Sequence, residues 1–482
     1  MPTVYSKLLN PDTGEIDILS YILGRRGRDD EEEESDEEIK ADEKKSRKFW
    51  TRKNPKESGW WIDYVLNERG LFNDPKTPHY RKFTNRFVVD QPQLMEICQA
   101  IKNLPEEKKI WTDKTGKSTP IEILVMGALR VLARNWTFDD VEESSGASAE
   151  VHRVFFPKFC KWYAEDIAPQ VIKMPDPQNE EEFRRNCAEY IAACFPLCLG
   201  SIDVVHIRQW LCSANLKNQM VGKEHYPSRA YEVLVNHRKL ILNVTQGFYG
   251  ATNDKTIVRF DKAAMDLKAG KYAHFEQEVF DAKGGKKLLK GAYMINDNGY
   301  HKWSTMMEPS KTSKSDNELS WSEMLESLRK DVECVFGILK QMFAILKYGA
   351  RVTDQLDMDN IFMTCCAIYN QKMIASGKDE PWQEVMSDHR DEDEQEVGFF
   401  KRMRELNTTH KVPEGNTGLP TDGSLSLEEE EEVRDNEIEI EYGHDSRKQS
   451  LIEHFSYCLE NKMVKWPRKD KVWHTYDPDK RT

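Results

Sequence analysis

Leu197-Cys198-Leu199-Gly200-Ser201-Ile202-Asp203-Val204-Val205-His206-Ile207 is an apolar, strand-forming run interrupted by one acid. A carboxylate in such a run is costly unless something compensates its lost hydration. Working outward, residues 231–235 alternate, and 240–249 are apolar and β-branched after the polar turn Asn236-His237-Arg238-Lys239, so two or three adjacent strands are predicted. Residues 255–267 have helical composition, and 293–295 read as a brief strand. A long helix is predicted over 317–346, with Leu325, Leu328, Val332, Val335, Phe336 and Leu339 on its apolar face. That order predicts an α/β unit: a mixed sheet covered by helices.

Upstream the period changes. Leu94, Ile97, Cys98 and Ile101 have helical spacing, and folded structure is predicted to begin near residue 58 among dense aromatics. Thr119-Pro120-Ile121-Glu122 reads as a capping box with proline at the first helical position, leading into Ile123, Leu124, Met126 and Leu129. Thr137-Phe138-Asp139-Asp140 caps a short helix, Gly146 turns it, and Ser148 starts another that Pro157 is expected to kink or end. This is a helix-turn-helix-like, all-α arrangement. It serves either DNA contact or packing alone, since Glu142, Glu143 and Glu150 outnumber Arg153 and Lys158. One more helix is predicted over 181–195, up to Pro196.

The expected organisation is therefore a disordered N-terminal segment (1–57), a helical domain (58–190), an α/β catalytic domain (191–378) and a mostly disordered acidic tail (379–482), with one docked helix near 450–459. Lys44-Lys45-Ser46-Arg47-Lys48 reads either as a nuclear import signal or as a solvated turn. The 482 residues hold 70 Lys+Arg against 83 Asp+Glu, a formal charge of −13 that argues against a protein coating nucleic acid. The acidity sits mainly in the tails. Residues 381–482 carry 25 acids and 15 bases, whereas 201–350 carry 17 acids and 22 bases, so the middle is able to face a polyanion. No stretch of 18 apolar residues and no signal-peptide pattern is present, so a soluble intracellular protein with no membrane association is expected. The ten cysteines form no zinc-spaced CxxC units and read as reduced, buried thiols.

Four acids stand where they need an explanation. Asp203 lies within its strand, Asp254 follows one in Gly250-Ala251-Thr252-Asn253-Asp254, Asp297 closes one in Ile295-Asn296-Asp297-Asn298-Gly299, and Glu333 interrupts an apolar helix. Singly, a turn-forming Asp or a solvated Glu explains each. Together they suit phosphodiester cleavage, in which two Mg²⁺ or Mn²⁺ ions roughly 4 Å apart activate a water and stabilise the leaving oxygen. Hard cations take oxygen ligands, and three or four carboxylates suffice.

Gly200-Ser201-Ile202-Asp203-Val204-Val205-His206, Gly250-Ala251-Thr252-Asn253-Asp254, Asn296-Asp297-Asn298-Gly299-Tyr300, Val332-Glu333-Cys334-Val335-Phe336-Gly337 and Cys365-Cys366-Ala367-Ile368-Tyr369-Asn370 resemble, in order and spacing, the motifs of the PIF/Harbinger transposases and related plant transposon proteins. The resemblance implies an RNase H-like DDE domain that cuts double-stranded DNA at terminal inverted repeats and inserts at AT-rich targets. It also implies a nuclear site of action, a homo-oligomer on DNA and a Myb-like accessory DNA-binding protein. The family's metal ligands carry over onto Asp203, Asp254, Asp297 and Glu333. Asp203, Asp297 and Glu333 are favoured as the catalytic three, with either Asp297 or Asp254 as the middle member. His206 reads as a neighbour of the metal ligands or a DNA contact, or as a structural histidine. Lys340, Lys347 and the cluster Lys283, Lys286, Lys287 and Lys290 read as phosphate contacts or a solvated face. Cys334 stands where the family carries Arg, and the base expected near Gln341 or Met342 is missing. That weakened basic pattern leaves a domesticated, catalytically silent DNA-binding protein as the alternative.

Overall fold

The computed structural model describes residues 54–66, 72, 74–111, 119–310, 312, 315–381, 427–467 and 473–476. The acidic N-terminal run, the basic cluster at 44–48 and the acidic stretch at 388–396 lie outside them.

Among the described residues the N-terminal region is built mainly on the longer helices α1 (Pro78–Phe87), α2 (Gln91–Lys102), α3 (Ile121–Arg134), α4 (Phe138–Ser145) and α5 (Ala149–Trp162). Helix α3 is buried almost all round, from Ile123 to Ala133, and the others pack about it. Its predicted capping box does not form. Pro120 is itself the N-cap, so the helix starts one residue late, and Glu122 pairs with Lys102 of α2 instead. At α4 the box does form: Thr137 Oγ1 accepts from the Asp140 N–H, and the Asp140 carboxylate accepts from the Thr137 N–H at 2.9 Å. Gly146 then adopts a left-handed φ of 72°, which a side chain would resist. Thr137→Ala is expected to cost about 1 kcal/mol in denaturant unfolding; an unchanged midpoint would show that tertiary contacts alone hold α4. Pro157 does not end α5. The helix continues to Trp162 because Phe155, Phe156, Phe159 and Trp162 are all buried, and that burial outweighs the backbone bond proline removes.

After α6 (Glu180–Ala192) the chain enters the sheet: β1 (Cys198–Arg208), β2 (Ser228–Val235), β3 (Ile241–Val244) and β4 (Phe248–Tyr249). The short helix α7 (Asp254–Ile257) and α8 (Lys262–Lys268) follow, then the hairpin β5 (Glu276–Phe280) and β6 (Lys286–Lys290), then β7 (Tyr293–Ile295) and β8 (Met306–Met307). The sheet order is β3-β2-β1-β7-β8, with β4 also on β2; β1 is antiparallel to β2 and parallel to β7. Strand periodicity sends Val205, Ile207, Val233 and Val235 into one core and Ile202, Val204, Ala230 and Leu234 into another, so both faces are covered. The first core also contains α3 and α5, so the helical region and the sheet share it across residue 190.

Helix α9 (Asp316–Met342) serves both cores, Trp321, Leu325 and Leu328 in one and Val332, Val335 and Leu339 in the other. A short helix α10 (Ala344–Tyr348) leads to α11 (Gln355–Ala375), where Asn370 bonds both backbone groups of Ile241. The polar turn after β2 is buried: Arg238 pairs with Glu189 of α6 at 2.5 Å, and Lys239 with Asp331 of α9 at 2.8 Å. Its role is to lock three elements together.

The tail is more structured than expected. Helix α12 (Leu427–Glu460) places Leu451, Ile452, Phe455 and Cys458 in the second core, and β9 (Lys465–Pro467) pairs with β10 (Trp473–Thr475). Glu308 accepts from His444 at 2.9 Å and from Lys448 at 3.1 Å, fixing the start of the docked part. The signal is non-local: the acid that holds this helix is over a hundred residues upstream. Among the described residues no helix is long and apolar enough to cross a membrane.

Candidate active site

The parallel pairing of β1 and β7 sets Ser201 beside Ile295. Asp203 and Asp297, each two residues further on, therefore lie at the same level, Asp203 within its strand and Asp297 just past the end of β7. Asp297 Oδ1 accepts from the Gly299 N–H at 2.7 Å, which turns the chain sharply. Asp254 is the first residue of α7, behind the N-cap Asn253. The bend at Gly299 brings it close: a Cβ added there would stand 2.9 Å from Asp297 Oδ1 and 3.6 Å from Asp254 Oδ2. A side chain there would crowd the Asp297 carboxylate, which the Gly299 N–H itself holds.

The three Asp carboxyls feel one another. Burial pushes the Asp203 carboxyl up to about 6; the Val204 N–H, at 2.8 Å, opposes that shift, Asp297 adds to it, Arg329 opposes it and Asp254 adds to it. Asp254 is also raised, by burial first, with Lys223 opposing and Asp297 adding. Glu333 reaches this group through Arg329, one turn earlier on α9. The Arg329 guanidinium lies 2.7 Å from Glu333 Oε1 and 3.8 Å from Asp203 Oδ2, and it also pairs with Glu326 at 2.8 Å. The four acids thus share one neighbourhood, but among the described residues no three of them present ligand oxygens all within 4.8 Å of one another. An all-oxygen donor set with repelling charges and a buried, proton-retaining member suits a hard divalent cation.

Arg329 is the residue the motif reading missed. It is a basic partner on the N-terminal side of Glu333, where the reading looked only at Cys334 and beyond; Cys334 is exposed. The i,i+4 spacing of Arg329 and Glu333 was the available signal. Glu232 was missed as well. It is fully buried on β2, its carboxyl is pushed well above the usual range by burial and then by Asp261, and it also feels Asp254 and Asp203. Its signal was the same as that of Asp203, an acid inside an alternating strand.

The remaining candidates are dispersed. His206 is buried on β1, where its Nδ1 meets Ser228 Oγ at 3.3 Å, and burial lowers its pKa. Lys340 is half-buried on α9, and its pKa is lowered by the same cause, while Lys347 is exposed on α10 beside the Tyr348 ring. On the hairpin, Lys286, Lys287 and Lys290 pair with Glu278, Glu453 and Glu276, and Lys287 thereby ties β6 to α12. Lys286 and Lys290 remain 61% and 64% exposed, as a solvated face would be.

Residues 175–380 match the model of a family described as plant transposon protein. The match spans less than half of the chain but includes the whole sheet, all four acids and Arg329. It supports a transposon-derived chain over that span. No curated protein matches, and no solved structure does.

Proposed function

We propose that the chain is a DDE-type transposase with an RNase H-like catalytic unit, cutting double-stranded DNA at terminal inverted repeats and joining the ends to AT-rich targets in the nucleus. The observation that carries this reading is the gathering of Asp203, Asp254 and Asp297 beside the parallel β1–β7 pair, with Glu333 linked to Asp203 through one guanidinium. Asp203, Asp297 and Glu333 are the catalytic residues, and Asp254 is a further ligand or orients Asp297. A bound pair of Mg²⁺ or Mn²⁺ ions supplies an activated water and stabilises the leaving oxygen. The chain's own part is positional. Asp203 stands on β1 and Asp297 just past the end of the adjacent β7, Glu333 approaches from a helix packed on the sheet, and Arg329 holds the Glu333 carboxylate towards them. DNA, a second copy of the chain and a Myb-like DNA-binding protein are the proposed partners. The direct test is nicking of supercoiled plasmid by the full chain with Mn²⁺; no nicking with Mn²⁺ or Mg²⁺, on plasmid or on its own terminal repeats, overturns it.

Cation binding should depend on pH. The folded-state pKa of Asp203 lies above its ordinary value, so the fold retains this proton up to about pH 6 and the proton competes with the cation. Mn²⁺ affinity is expected to rise about tenfold per pH unit while Asp203 is protonated and to level off once it is ionised. Affinity measured by Mn²⁺ electron paramagnetic resonance that stays flat from acid to neutral pH would detach Asp203 from the metal site.

One observation favours a second reading, a domesticated and silent DNA-binding protein: Arg329 already offsets charge on Asp203 and Glu333. On that reading wild type binds DNA without cutting.

A further inference from the structure

The ten cysteines offer no sequence motif, yet two of them meet at a histidine. Cys194 ends the turn after α6, and His454 and Cys458 lie one turn apart on α12, some 260 residues later. Their ligand atoms all lie within 4.8 Å of one another, and all three residues are buried. Both ring nitrogens of His454 are 3.7 Å from Cys458 Sγ. A tetrahedral ion with metal–sulfur and metal–nitrogen bonds of about 2.3 and 2.0 Å has a sulfur–nitrogen edge of about 3.5 Å, so this pair is already close to the spacing required. Cys194 adopts a left-handed φ of 64°, a conformation that a non-glycine residue rarely takes. That turn carries its side chain to α12. A cavity of about 540 Å³, also lined by Phe280, Glu278 and Lys465, adjoins the three.

We propose that Cys194, His454 and Cys458 form a site for one thiophilic divalent cation, Zn²⁺ by its donor set, which fastens the C-terminal helix to the sheet domain. The site is independent of the carboxylate site and of its chemistry. Two thiolates and an imidazole supply three ligands, and a water entering from the cavity supplies the fourth. Binding releases the thiol protons. The Phe280 N–H now donates to His454 Nδ1 at 3.1 Å. Coordination through Nδ1 exchanges that bond for a metal bond, and Phe280 lines the cavity from which a water would have to take over its N–H.

The test uses the full chain, reduced and stripped of metal. Co²⁺ is expected to bind one per chain with thiolate-to-cobalt charge-transfer absorption and tetrahedral visible bands, which Zn²⁺ then bleaches. Co²⁺ held by carboxylates alone gives no thiolate charge transfer, so the two sites are told apart. Cys458→Ser should lose the charge-transfer band and Cys334→Ser, at an exposed cysteine, should keep it. If the Cys458 variant fails to fold, wild type still decides. Zn²⁺ should slow alkylation of Cys194 and Cys458 about tenfold or more while leaving Cys334 unchanged. Absence of the charge-transfer band, or equal labelling of Cys194 and Cys458 with and without Zn²⁺, overturns the proposal, as does a Cys194–Cys458 disulfide that persists under thiol reductant.

Discussion

Glu333→Gln is expected to reduce Mn²⁺-dependent nicking more than about 100-fold, the loss that even an indirect partner of a metal ligand commonly causes. The same substitution should cost only about 1 kcal/mol of stability, because the Glu333 side chain is 47% exposed and Arg329, although only 12% exposed, keeps Glu326 as a partner. Asp203→Asn separates function from folding more sharply. A carboxyl whose folded-state pKa is raised stabilises the fold only while protonated, and that contribution is lost as pH rises through about 6. At neutral pH the neutral Asn avoids the burial cost, so the variant should be at least as stable as wild type and inactive. Equal cleavage by wild type and either variant would remove the nuclease reading, whatever their stability.

Glu189→Gln should have the largest effect on folding, a loss of about 3–5 kcal/mol in denaturant unfolding, because it leaves the Arg238 guanidinium buried without its counter-charge. Arg238 is 6% exposed and Glu189 is fully buried. Arg238 also donates to the Arg185 carbonyl at 3.0 Å, so the pair joins α6 to the turn that leads from β2 to β3. The double variant Glu189→Leu with Arg238→Met should recover most of the loss, since removing both charges leaves nothing unpaired. A single variant within about 1 kcal/mol of wild type would mean that water reaches this turn and screens the lone charge. The turn links β2 to β3 and is held to α6, so its loss should also lower nicking indirectly by loosening β2 against its neighbour β1.

Local signals are legible where the competing contacts are also local. The Thr137–Asp140 box and the left-handed Gly146 involve residues within four or five positions of one another, and the alternation in β1 and β2 follows from the pleat. The box at 119–122 fails for the opposite reason: Glu122 finds Lys102, on a different helix. Pro157 is tolerated because a whole aromatic face is buried around it. No element is legible at 355–375, since a helix buried all round has no amphipathic period to reveal it. The hairpin lysines resemble a phosphate-binding patch until strand pairing puts glutamates opposite them.

By itself, the order of residues determined a mixed α/β pattern, the helical region before it, and four acids in positions that needed compensation. Those follow from burial periodicity and from the cost of charge in an apolar run, both legible along a chain. Only the tertiary structure decided that Arg329 stands between Asp203 and Glu333, that Glu232 lies buried behind the acids, and that Cys194 meets His454 and Cys458. The physical reason is that each of these depends on which distant segments share a core, and the free energy that selects those pairings is summed over the whole fold rather than carried by any one stretch.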